Sequence, residues 1–142
     1  MLKCIPASLS PELVKILMEM GHGDEIVLGD RNFPSASHAK RLIRYDGMRI
    51  KPLLEDILKL FPLDYIKEPV TLMKIPPNSD YKGDISNEYK TIAQNATEDF
   101  TIDINYLDRQ EFYDRASKAY AIVATGETER FANIIIRKGV IK

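Results

Sequence analysis

The chain is poor in the residues that most often carry metal or redox chemistry. It has one cysteine, Cys4, so an internal disulfide is excluded. It has two histidines, His22 and His38, and no His/Cys set at ligand spacing, so no zinc or other metal centre is expected. Its carboxylates do not gather in a loop suited to a hard cation. There is no P-loop and no GxGxxG, so no nucleotide cofactor is expected. No apolar run approaches the ~20 residues that cross a bilayer, and Lys3 with an early Pro6 does not read as a secretory signal. Neither sign of charge prevails: 20 basic against 21 acidic residues leave a net charge of −1 and no basic stripe, which argues against nucleic acid as a partner. Together with the single cysteine, this points to a cytoplasmic protein with no membrane partner.

What is present suits an ordinary globular chain. Hydrophobic residues make up 44% and charged residues 29%, outside the disordered range. A length of 142 residues fits one domain, residues 1–142, burying about two-thirds of its unfolded surface.

Ser10-Pro11-Glu12-Leu13 predicts a helix start, with Ser10 as cap, Pro11 at the first position and Leu13, Ile16, Leu17 and Met20 as the buried stripe. Gly21 is placed to end it. Residues 25–29 predict a short strand buried on both faces, 32–35 a loop, and 41–45 a second short strand. Pro52 opens a helix whose apolar side is Leu53, Leu54, Ile57, Leu58 and Phe61. A strand at 70–75, a loop at 78–83, a surface helix at 86–96 and a half-buried strand at 100–106 follow. Asp108 to Glu111 resembles a capping box that opens a helix to Lys118. Strands at 119–125 and 133–137 close the chain, and their continuous apolar runs predict central positions in a sheet. Helices and strands alternate, so the fold class is an α/β layered domain.

One stretch stands out. Gly21-His22-Gly23-Asp24 lies between the first helix and the first strand, and Asp30 follows at that strand's far end. His22 can simply finish a helix C-terminus, where the dipole favours positive charge. The two glycines also leave room for close approach of a ligand, and histidine gives and takes protons near neutral pH. Asp24 is a turn residue or a site residue, and Asp30 ends a strand, binds sugar hydroxyls or orients His22. Arg109 lies in the first turn of a helix. Tyr120, Phe131 and Asn133 suit core strands as well as ligand contacts. His38 lies in a polar loop and is expected to be exposed.

These residues carry a resemblance to the ribose pyranase and fucose mutarotase family, on its fucose mutarotase branch. The matching segments are 9–13, 20–26, Asp30 with Asn32-Phe33-Pro34, Arg44 with Asp46-Gly47, 111–116, 121–127, Asn133 and 138–140. The resemblance implies an α/β sandwich that interconverts cyclic forms of a free monosaccharide: anomers of L-fucose, or pyranose and furanose ribose. It implies ring-shaped homo-oligomers, typically decamers, with sites near subunit interfaces. It makes His22 the proton donor, and Asp30 and Arg109 substrate contacts. Phe131-Ala132-Asn133 matches a substrate-binding segment that usually reads Tyr-Gly-Asn. Here Phe131 lacks the hydroxyl and Ala132 adds a methyl group, which bears on sugar preference; Tyr120 is a candidate source of a hydroxyl nearby. Opening and reclosing a hemiacetal breaks and remakes one C–O bond with proton transfers and no redox step, so no cofactor is called for. Three functions stand: an L-fucose mutarotase, a ribose pyranase, or a sugar-binding protein without catalysis.

Overall fold

The computed structural model describes all of residues 1–142. Its elements run α1 (Pro11–Glu19), β1 (Glu25–Gly29), α2 (Ser35–His38), β2 (Leu42–Tyr45), α3 (Ile50–Leu58), β3 (Val70–Met73), α4 (Ile85–Asn95), β4 (Ile104–Leu107), α5 (Arg109–Lys118), β5 (Ala121–Thr125) and β6 (Ile134–Arg137). The strands form one sheet in the order β2-β5-β1-β6-β3-β4. β1, β2 and β5 pair in parallel, as do β3 and β4, and β6 runs antiparallel between β1 and β3. The apolar runs of 120–123 and 134–136 do lie in interior strands of the sheet, β5 and β6.

Alternation along the strands divides the core. Ile26, Leu28, Val123, Ile134 and Ile136 face α1, α3 and α4, whose Leu13, Leu17, Leu53, Ile57 and Tyr89 complete the larger core. Val27, Ile122 and Ile135 face the other way, onto Phe33, Phe112 and Ala116 beneath α2 and α5. The result is three layers, α/β/α, with no helix long and apolar enough to cross a membrane.

The helix starts follow local chemistry. Ser10 Oγ accepts the Leu13 N–H at 3.1 Å, and Pro11 occupies the first turn. The Glu111 carboxylate reaches back to the Asp108 N–H at 3.4 Å. Four expectations change. α3 begins at Ile50, not Pro52; the proline is tolerated because its missing N–H falls in the first turn. Residues 35–38 form a single helical turn where a loop was expected, too short to show a period. The strand expected from residue 100 begins at Ile104, because the Gln94 side chain takes the Phe100 carbonyl and the Ile102 N–H and ties that segment to α4. Gly21 is not the left-handed residue after α1: Met20 turns into extended backbone, and the positive φ, +86°, falls at Gly23.

Candidate active site

The sheet has two ends, and the candidate residues are divided between them. At the first end lie the residues that follow β1, β2, β4 and β5 and precede β6. Asp30 leaves β1 there, and its N–H donates to Asn133 Oδ1 at 2.7 Å. That bond fixes the Asn133 amide oxygen and leaves its Nδ2 without a hydrogen-bond partner in the chain. Asp30 Oδ1 accepts the Asn32 N–H at 2.9 Å. Burial raises the proton affinity of Asp30; the Glu127 charge adds to this, and the N–H groups of Asn32 and Phe33 oppose it. Asp30 lines a polar cleft of about 570 Å³ with Ser35, Arg44, Asp46, Thr125 and Thr128, within the ~300–1,000 Å³ usual for small-molecule sites. The Ser35 hydroxyl is buried in the wall of this cleft without a partner in the chain.

Glu127 builds the floor of this end. Its buried carboxylate accepts N–H bonds from Ile50 at 3.1 Å, Thr128 at 2.8 Å and Glu129 at 3.0 Å. Burial pushes its pKa up, but these N–H groups outweigh burial and hold it below the ordinary range. Its carbonyl takes the Arg31 N–H at 3.0 Å, tying it to the Asp30 loop. Gly126 admits a close backbone crossing: a Cβ there would stand 2.1 Å from the Asp46 carbonyl oxygen.

Phe131, at φ +60°, precedes the fully buried Ala132, whose carbonyl accepts the Tyr89 hydroxyl at 2.7 Å. Tyr81 packs edge-on against Phe131 at 5.4 Å, and its hydroxyl donates to Glu129 at 2.5 Å. Arg109 begins α5 at this same end but is exposed. Its guanidinium holds the Tyr113 hydroxyl at 3.3 Å and has no bond to Asp30. Tyr113 in turn packs on Phe33 and His38. His38 is thus half-buried rather than exposed, with Nδ1 3.0 Å from the Pro34 carbonyl.

At the opposite end, ahead of β1 and past β6, stands His22. Its Nε2 lies 3.1 Å from Asp64 Oδ1, with the imidazole 42% exposed and the carboxylate 4% exposed. Asp64 Oδ1 also accepts the Ile66 N–H at 3.1 Å. The five residues of β1 put roughly 16 Å of extended chain between this pair and Asp30. Within one chain Asp30 therefore does not orient His22; Asp64 does. Asp24 serves the turn, accepting the Gly21 N–H at 2.7 Å. Tyr120 also sits at this end, before β5, and its hydroxyl donates to Glu19 at 2.9 Å. It is not the hydroxyl beside Phe131; Tyr81 is. Asp64 was missed in the sequence. Its only signal is an acidic residue between Phe61, Leu63 and Tyr65, an apolar setting that marks a buried carboxylate.

The model of the RbsD / FucU transport protein family matches residues 3–141. The chain belongs to this family. Over 146 residues it is 47% identical to the fucose mutarotase of Danio rerio, covering 99% of this chain and 94% of that one. It is 46% identical to the L-fucose mutarotase of Haemophilus influenzae, with 99% and 97% covered. Its fold matches a fucose mutarotase crystal structure in complex with L-fucose from Streptococcus pneumoniae at a TM-score of 0.91, 51% identity and 99% and 100% coverage. For a member of this family, the two ends carry complementary chemistry. One presents a carboxylate and an amide suited to hydroxyl groups. The other presents an imidazole with a buried carboxylate behind it.

Proposed function

We propose that this chain is an L-fucose mutarotase, an isomerase that exchanges the α and β anomers of free L-fucose. The observation that carries it is the Asp30–Asn133 pair beside a polar cleft, in a chain whose fucose mutarotase relatives align over nearly its full length. Asp30 accepts sugar hydroxyls, and Asn133 Nδ2 donates to them. Arg109 and Phe131 border the same ligand, with Phe131 offering an apolar face; Ala132, fully buried in the core, only carries the backbone to Asn133.

His22 protonates the ring oxygen while water or a hydroxyl-bearing side chain takes the proton of the anomeric hydroxyl; the bond from the anomeric carbon to the ring oxygen breaks to give the aldehyde, and closure on the other face with the protons returned gives the other anomer. With Nε2 on Asp64, Nδ1 is the nitrogen that exchanges the proton. General acid–base help of about 10²–10⁴-fold suffices for a reaction that water already supports. Because β1 separates His22 from Asp30, a complete site forms between copies, His22 of one facing Asp30 and Asn133 of the next. A homo-oligomer follows, a decamer by the family resemblance, built from one mutarotase domain over 1–142. A cytoplasmic location goes with the single-cysteine argument.

Exchange NMR on equilibrated L-fucose tests this. Magnetisation passes between the two anomeric protons in the presence of the protein and not in His22→Ala. Mixing dissociated and reassembled His22→Ala and Asp30→Asn regains part of the rate, since mixed interfaces contain intact sites. No transfer for fucose but pyranose–furanose exchange for ribose makes it a ribose pyranase, and binding without exchange makes it a sugar-binding protein.

A further inference from the structure

The chain just after β6 holds both halves of the His22–Asp64 pair. α1 ends at Glu19, and its last carbonyls need partners. The Lys138 ammonium supplies them, donating to the Leu17 carbonyl at 2.7 Å and the Met20 carbonyl at 2.5 Å. A cation is favoured there by the helix dipole. The Lys138 backbone then grips the far side of the histidine: its N–H donates to the Asp24 carbonyl, and its carbonyl accepts the Gly23 N–H, each at 2.8 Å. Four bonds from one residue thus bracket Gly21-His22.

The other half hangs from the same place. The Asp64 N–H donates to the Arg137 carbonyl at 3.0 Å, Leu63 bridges Lys138, and the Gly139 N–H donates to the Pro62 carbonyl at 2.7 Å. A Cβ on Gly139 would stand 2.4 Å from the Leu63 carbonyl oxygen, so only glycine permits this approach.

The imidazole itself is exposed and has one hydrogen-bond partner in the chain, so its place depends on its backbone and on Asp64. We propose that Lys138 is a positioning residue for proton transfer by His22, its ammonium fixing the corner at Met20 from which the histidine projects. This rests on the mutarotase reading above. Without the ammonium, the Leu17 and Met20 carbonyls turn to water and the corner relaxes. Misplacement of a catalytic group by an ångström costs up to about 10²-fold in rate.

The test compares wild type, Lys138→Met, Lys138→Arg and His22→Ala by anomer-exchange NMR, with native mass and melting temperature measured for each. Lys138→Met is expected to lose about 10- to 100-fold in kcat, with KM for fucose unchanged within about twofold and the same native mass. Lys138→Arg, which keeps charge and two donors, recovers most of the rate. The His22 ring-nitrogen signals, ordered in wild type, become averaged in Lys138→Met. Wild-type kcat and ordered ring signals in Lys138→Met, with His22→Ala inactive, overturn the proposal. Should Lys138→Met fail to assemble, amide exchange in the unmodified protein decides: Gly23 and Lys138 are slow if the bracket holds, and exchange as fast as in an open chain refutes it. A fully active His22→Ala would instead sink the mutarotase mechanism, and the ring signals would still judge Lys138.

Discussion

Replacing Glu127 should show how much of the first sheet end rests on one side chain. The carboxylate divides its work: Oε2 takes the Ile50 N–H at the start of α3, and Oε1 takes Thr128 and Glu129. Ile50 is fully buried, so in Glu127→Ala its N–H has no acceptor, at a cost of about 1–3 kcal/mol. Thr128 is exposed and Glu129 half-buried, so their N–H groups reach water and each loses only about 0.5–1.5 kcal/mol. The Arg49 contact, at 3.4 Å with Arg49 63% exposed, adds almost nothing. The sum is about 2–6 kcal/mol, a large share of the roughly 5–15 kcal/mol that holds a domain together. Glu127→Gln separates the two oxygens. Its amide oxygen serves Thr128 and Glu129, but its NH₂ then faces the Ile50 N–H, donor against donor, for about 1–3 kcal/mol.

The pH dependence has a definite sign. The Glu127 pKa in the fold lies below its ordinary 4.5. Its stabilisation is therefore complete above pH 4.5 and lost as the pH falls through the lower folded value. Urea unfolding at pH 7 and at pH 4 and below reads both effects. Wild type should lose stability across that acid limb more steeply than Glu127→Gln. A Glu127→Ala midpoint within about 0.5 kcal/mol of wild type at pH 7, the range of ordinary surface changes, would refute the cap. So would an acid limb that the Gln variant leaves unchanged.

Two further substitutions probe the two ends separately. Asn133→Leu removes both the acceptor for the Asp30 N–H and the free amide donor; KM for fucose should rise by about 5- to 150-fold, following a loss of ~1–3 kcal/mol, and an unchanged KM would take Asn133 out of the sugar site. Gly23→Ala forces a side chain into φ +86°, which should destabilise by about 1 kcal/mol and lower kcat through the His22 loop; unchanged melting and kcat would mean that the turn tolerates a different backbone.

The helices and strands were largely legible because local chemistry decides them. Ser10-Pro11 fixes the start of α1, and the uninterrupted apolar runs of β1, β5 and β6 can only be interior strands. Where the reading failed, a distant partner had intervened. α3 starts at Ile50 because Glu127, 77 residues away, accepts its N–H. Residues 100–103 leave the strand because Gln94 claims their backbone. The candidate site could be read as residue types and not as geometry. His22, Asp30 and Asn133 could be singled out, but period and spacing say nothing about which end of a sheet a loop occupies. Asp64, the partner of His22, lies 42 residues on in a segment without a motif.

The direction of β6 accounts for that division. A strand parallel to β1 would begin beside Glu25, at the same end as His22. β6 is antiparallel, so Ile134 pairs with Leu28 and Arg137 with Glu25. The residue before it, Asn133, therefore meets Asp30, and the residue after it, Lys138, meets Asp24 and Gly23. One four-residue strand joins the Asp30–Asn133 end to the His22–Asp64 end while keeping them a strand's length apart. A shift of β6 by one residue would move Asn133 off Asp30 and Lys138 off the His22 loop together, and would bring Asn133 or Arg137 into a strand position now filled by a fully buried isoleucine. Exclusion of those two polar side chains from the core thus fixes the register on which both ends depend. Under the proposed function, that separation is what requires another copy to bring its own His22 loop to the cleft beside Asp30.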